Sequence, residues 1–368
     1  MGGRSCRRLF PVLLVWGMAS VPHGQAAEAQ AVLLGLRHGD AYRTLLLTGE
    51  RADLVLEGIT DGLVIPVGDG MCPLRLRDVI MRRPESDRGI AREETYAAAA
   101  IECSVERLGK PELPPVEDCS GKETVGVTFV GPAHVSVDVF SDHECSGRTS
   151  ASAGSFVIEL HNLRDHWQFD WFTQSLHVQA LEVFGAHGLK AFRQAELERC
   201  SSLDPDDREL LGVSTCEELP GGDGSEGYAP WWSIRRGAGT WEVWDGLYGW
   251  GGNSWPYRVP LTLLAALAEP GAEVHLWKAV ESAFPDVVDA VATADGLALV
   301  LITKDSLKAA AVLSQGDRPT FVAGAQLSQR FQDETVVMAQ RASGSRVAAW
   351  RAGFRKHLGA PPRRRTRG

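Results

Sequence analysis

Two cysteines stand at equal distances from one turn, and that symmetry constrains the fold more than any other feature of the sequence. Cys119 and Cys145 are centred on Pro132, inside Gly131-Pro132-Ala133-His134. The flanking runs Thr124 to Val130 (TVGVTFV) and Val135 to Phe140 (VSVDVF) are rich in β-branched residues, the composition of two strands joined by a turn. In that register the two sulfurs face each other near the open end of a hairpin, where a disulfide would clamp it. Cys200 and Cys216 bracket a short acidic segment and close a local loop, which leaves Cys72 with Cys103. None of these six cysteines makes a C-x2-C pair, so the pattern predicts staples and no metal site.

Staples need an oxidising compartment, and the N-terminus supplies the route. Arg4, Arg7 and Arg8 precede the apolar run Leu9 to Val21, and small residues follow it. Basic head, short apolar middle and small-residue exit define a secretory signal over residues 1–26, with cleavage as late as 29 at Ala27-Glu28-Ala29. Arg7-Arg8-Leu9-Phe10 resembles the twin-arginine variety of such signals. Beyond it the longest apolar run, Val259 to Ala268, is too short to span a bilayer. The expectation is an exported, soluble chain, periplasmic or extracellular.

Charge narrows the partners. With 38 Lys+Arg against 47 Asp+Glu the chain is acidic, which argues against general nucleic-acid binding. The tail over 355–368 is the exception, with Arg355, Lys356, Arg363, Arg364, Arg365 and Arg367 around Pro361-Pro362. It reads as a disordered basic tail, or as a contact with an anionic surface.

The fold class follows from many short runs cut by Gly and Asp. Ala31 to Leu36, Tyr42 to Leu47, Ala52 to Leu56, Leu63 to Pro66 and Ser155 to Leu160 read as strands. A helical insertion covers 176–212: Leu176 to Cys200 repeats apolar residues at three- and four-residue spacing, and Asp204-Pro205 then caps a helix ending at Gly212. Residues 220–227 are linker-like and divide a disulfide-bearing half, 27–219, from a tryptophan-rich half, 228–354. In the second half Trp231 to Arg236 and Thr240 to Leu247 read as strands around Gly237-Ala238-Gly239. Val287 to Ala294, Leu297 to Lys304, Ser306 to Ser314 and Pro319 to Leu327 form a four-strand meander with the spacing of a propeller blade. Glu334 to Ala339 and Val347 to Arg351 are partial blades in that reading. The prediction is mainly β, with antiparallel meanders and hairpins, in two halves or one propeller-like body.

Two places carry candidate chemistry. Arg37-His38-Gly39 follows the first strand and resembles the R-H-G of the histidine phosphatase superfamily. That resemblance implies His38 as the phosphorus-attacking nucleophile and Arg37 as a phosphate ligand, in an exported phosphohydrolase. It extends over three residues in a β-rich setting, whereas that family has an α/β sheet, so a turn histidine between two strands is the preferred reading. The other place is Trp250-Gly251-Gly252-Asn253-Ser254-Trp255. Indole faces in a glycine-rich loop hold apolar faces of sugars or peptide side chains, with Asn253 and Asp245 as polar partners. Trp231, Trp232, Trp241 and Trp244 are expected in the core. His161 and His166 are spaced too poorly to share a metal, and no cofactor motif stands in the right context. The functional expectation is a non-catalytic binding or scaffolding protein of the cell envelope or exterior.

Overall fold

The computed structural model describes residues 28–50, 53–68, 70–84, 91–101, 119–145, 148–160, 178, 180–219, 232–248, 254–260, 277–314 and 319–358. The expected signal, linker stretch 220–227 and residues 359–368 of the tail lie outside them. Nine strands come first: β1 (Ala29–His38), β2 (Ala41–Glu50), β3 (Val55–Asp61), β4 (Leu63–Val67), β5 (Gly70–Pro84), β6 (Ala91–Ile101), β7 (Cys119–Val130), β8 (His134–Cys145) and β9 (Arg148–Glu159). Helices α1 (Ala180–Ser201) and α2 (Pro205–Leu211) follow, then a 3-10 turn, Cys216–Glu218. Next come β10 (Ser233–Arg236), β11 (Trp241–Tyr248), β12 (Ser254–Pro260) and helix α3 (Trp277–Ala283). The chain continues through β13 (Val287–Ala292), β14 (Ala298–Thr303), β15 (Ser306–Ser314), β16 (Thr320–Gln329), β17 (Thr335–Ser343) and helix α4 (Ser345–Arg355).

These strands make three sheets. The largest has ten strands in the order β3-β2-β1-β17-β7-β6-β5-β4, with β8 and β9 continuing from β7. Its pairings are antiparallel except for single-residue parallel contacts of β7 with β17 and with β6. A three-stranded sheet runs β10-β11-β12, and a four-stranded one β13-β14-β15-β16.

The unbroken apolar runs have a direct cause. Every residue from Ala31 to Leu36 except Gly35 belongs to one of two cores, because the large sheet is covered on both faces and neither face needs polar alternation. Ala31, Leu33 and Leu46 face one side, against Leu63, Ile65 and the α4 residues Val347, Trp350 and Phe354. Val32, Leu34, Leu45 and Leu47 face the other, against the two smaller sheets and α1. Each such leucine contributes roughly 2 kcal/mol by leaving water. Gly35 lies where β4 packs across β1: a Cβ there would stand 2.8 Å from that of Met338 and 2.9 Å from a Leu63 methyl.

Several expectations hold. β7 and β8 form the hairpin, with Cys119 directly opposite Cys145 in the register, although their side chains lie outside the described residues. Cys200 and Cys216 are joined by a disulfide, with Cα atoms 5.8 Å apart. Cys72 is disulfide-bonded and buried; Cys103 lies outside the described residues. Asp204 caps α2 by accepting from the Asp207 amide at 2.8 Å, and Gly212 closes it in the left-handed region at φ 81°. The meander over β13 to β16 is a single antiparallel sheet.

The two expected partial blades need correction. Among the described residues no closed propeller forms, because the expected partial blades go elsewhere. Glu334 to Ala339 falls largely in β17, which inserts between β1 and β7 of the large sheet. Val347 to Arg351 is not a strand but the middle of α4, where Val347, Trp350 and Phe354 recur at helical spacing and are buried. The segments on either side of 220–227 interlock, since β17 pairs with β1 along eight residues and both segments contribute to one core.

Candidate functional site

The R-H-G triplet occupies the hairpin between β1 and β2. Gly39 takes φ 58°, as the tight two-residue connection requires. Consecutive strand residues point to opposite faces, and this separates Arg37 from His38. Arg37 donates from Nε to the Gly39 carbonyl at 2.9 Å and from Nη1 to the Val127 carbonyl at 3.4 Å, beside the Tyr42 ring. His38 turns the other way, exposed, with its ring 5.7 Å from that of Phe331. Arg43 reaches the same Phe331, its guanidinium 4.9 Å from the ring centre. That guanidinium is engaged by Glu334 through two bonds, 2.6 and 2.7 Å, and by the Gln329 carbonyl at 2.8 Å. The arrangement is a turn histidine beside an aromatic ring. Arg37 and His38 share no focus of the kind that in-line phosphoryl transfer uses.

The Phe331 loop itself was not legible in advance. It joins β16 to β17 and is braced from several directions. Glu334, 1% exposed, holds Arg43 and accepts from the Phe331 amide at 3.3 Å. Arg330 donates to the carbonyls of Thr303 (2.8 Å) and Glu334. Asp333 sits at φ 60°, a conformation that aspartate tolerates better than most residues. This rigid frame leaves the Phe331 ring outside: the residue is 57% exposed.

The tryptophan region resolves into a two-faced sheet. Trp241, Val243, Asp245 and Leu247 alternate inward along β11, as Trp255, Tyr257 and Val259 do along β12. Trp255 is 8% exposed, which corrects its assignment to a surface site: it lies on the core face opposite Leu247, not in the loop. Trp250, Asn253 and Trp231 lie outside the described residues, as do His161 and His166. Trp232 and Trp241 are buried as expected. Trp244 faces outward instead, bracketed from the neighbouring strands by Arg235 (5.1 Å) and Arg258 (3.9 Å).

Asp245 is the unusual inward residue. Its carboxylate accepts from the Tyr257 hydroxyl at 2.9 Å and from the Gly246 amide at 2.7 Å. Burial pushes its pKa up to about 6, those two donors oppose the shift, and the charge of Glu196 adds to it. Glu196, 3% exposed, lies on the Phe192–Glu196–Cys200 stripe of α1. One of its oxygens takes Arg193 at 2.5 Å, and the other has no hydrogen-bond partner. An acid on an apolar helical stripe, facing an acid on an apolar strand face, is the signal by which this pair could have been found. Among the described residues no group of three or more His, Cys, Asp or Glu is placed to hold a metal ion.

Compared with models of known families and with curated proteins, the chain matches neither a family nor a relative.

Proposed function

We propose that this chain is an exported, disulfide-braced binding or scaffolding protein of the cell envelope or exterior, and that its contact surface includes Phe331. The observation that carries this reading is the braced loop, in which a half-buried Arg43 paired with a buried Glu334, and three further hydrogen bonds, hold an aromatic ring out in solvent. Fixing an exposed ring in advance removes the ordering cost of binding, the property expected of an interface anchor. Its natural ligand is an apolar face, of a peptide side chain or a sugar ring, and Trp250 and Asn253, which lie outside the described residues, are proposed as a second contact of the same chemistry. The Cys200–Cys216 disulfide supports maturation where thiols oxidise.

The test is retention of the full chain on arrays of immobilised peptides and glycans. Wild type should bind at least one class, and Phe331→Ala should weaken it about thirtyfold with an unchanged unfolding midpoint. Retention untouched by Phe331→Ala, or no retention on either array, would reject the reading.

A further inference from the structure

The acidic balance of the chain conceals a sharp division. Of its 38 Lys+Arg, nine lie in residues 335–368, and none of its 47 Asp+Glu does. Helix α4 organises these cations. In α4, Val347, Trp350 and Phe354 anchor one face on the large sheet. At 3.6 residues per turn, the opposite face is then centred on Ala348, Ala349 and Ala352, all exposed. Cations flank that strip: Arg351 and Arg355 on one rim, Arg346 on the other, and Lys356 at its C-terminal end, likewise exposed.

The two rims differ. Glu57 takes Arg351 at 2.7 Å and Arg355 at 3.4 Å, and these contacts, after a stronger hydrogen bond from Thr48, hold its carboxyl below the usual range. Arg346 lies over the edge of the core at Trp350, 5.9 Å from the ring centre, and neither it nor Lys356 has a carboxylate partner among the described residues. The helix therefore presents a shallow alanine floor flanked by arginines and ended by Lys356, followed in sequence by Arg363, Arg364, Arg365 and Arg367.

We propose that this face of α4 docks on an anionic phospholipid bilayer, flat against the headgroups. The alanines let the helix approach closely, and Arg346 and Lys356, which no carboxylate engages among the described residues, meet the phosphates, the first as a guanidinium fork and the second as a point charge. No apolar side chain leaves the core to insert, so the attachment is electrostatic and reversible. It is independent of the Phe331 reading, since it uses another element and another chemistry.

Sedimentation of the full chain with lipid vesicles tests it. Vesicles of phosphatidylcholine with phosphatidylglycerol should carry the protein down at low salt and release it in 0.5 M salt, a concentration at which the screening length falls to only ~4–5 Å, and pure phosphatidylcholine should not carry it. At about 1 kcal/mol per surface cation, Arg346→Gln with Lys356→Gln should weaken binding about thirtyfold. Because Arg346 touches Trp350, a second variant, Ala348→Glu with Ala352→Glu, places acids in the floor without touching the core and should abolish sedimentation. Wild-type binding by both variants, equal binding to neutral vesicles, or binding to soluble polyphosphate without binding to vesicles would each overturn the proposal.

Discussion

Asp289 and Asp245 are inward acids on two adjoining sheets, and their surroundings are opposite. Asp289 meets a cation: Arg236 reaches it through Nε at 2.9 Å and Nη2 at 3.0 Å, while the amides of Gly239 and Ala290 donate at 2.8 and 2.7 Å. The pair is 4% and 9% exposed and joins β10 to β13. Asp245 meets a phenol, an amide and another acid, and no cation among the described residues. A buried carboxylate supplied with a matching charge is a brace between sheets. One supplied only with neutral donors is held toward its protonated form, and its ionisation is linked to folding.

The brace should break with the largest effect. Asp289→Ala leaves the Arg236 charge buried and unpaired, a loss expected to cost about 3–5 kcal/mol in urea unfolding. Arg236→Met combined with Asp289→Leu should recover most of that, since two apolar side chains leave no stranded charge. A single variant within 1 kcal/mol of wild type would show that the Asp289 pairing does not join the sheets.

The disulfide comes next, because it stands behind the other acid. Cys200 ends the helical stripe that carries Glu196, and Cys216 begins the turn leading to Leu219, whose carbonyl accepts from Arg193 at 2.9 Å. Replacing both cysteines with serine frees a loop with sequence separation 16 and should cost about 3 kcal/mol in thermal unfolding. It should also loosen α1 against β12 and draw the Asp245 titration down toward the ordinary carboxylate range. An unchanged Asp245 titration in that double variant would uncouple the helix from the site.

What the sequence disclosed follows the range of the forces involved. The β7–β8 hairpin, the capped α2 and the β13–β16 meander are set by turn chemistry and periodicity within a few residues, and their residues announce them. β17 pairs with β1 across some three hundred positions, and nothing local in Val336-Val337-Met338 names that partner. The short apolar run Val347-Ala348-Ala349-Trp350 suits a strand as readily as a helix, and only burial at 347, 350 and 354 decides it. Trp255 looked like a loop residue because the preceding glycines dominate its surroundings. Its alternation with Tyr257 and Val259 was the overlooked mark of a strand. Phe331 carried no mark, since its exposure depends on arginines drawn from β2 and from the end of β16.

Asp245→Asn should have the next effect, with the sign fixed by the direction of the shift. A folded pKa of about 6 above an ordinary 3.8 means that this residue stabilises most below pH 4, and that the contribution is lost as pH rises toward 6. Asparagine keeps an acceptor for the Tyr257 hydroxyl and carries no charge, so the variant should be more stable than wild type at pH 7 by roughly 2–3 kcal/mol. Below pH 4 the two should coincide. Equal stability at both values would mean that Asp245 ionises in the folded state without penalty.

The smallest effect separates the two causes acting on Asp245. Burial is the larger and Glu196 the smaller, so Glu196→Gln should lower the Asp245 pKa by only a fraction of a unit in a carbon-detected NMR titration. Glutamine keeps an acceptor for Arg193 and gains a donor where Glu196 has an unpartnered oxygen. The variant thereby removes a like charge while leaving the shape of the α1 contact in place. A fall all the way to the ordinary value would make the two acids a charge-coupled pair, and burial a minor influence. A fraction of a unit would instead set the contrast with Asp289 on what each carboxylate meets: a guanidinium at one sheet, and at the other two neutral donors that offset desolvation only in part.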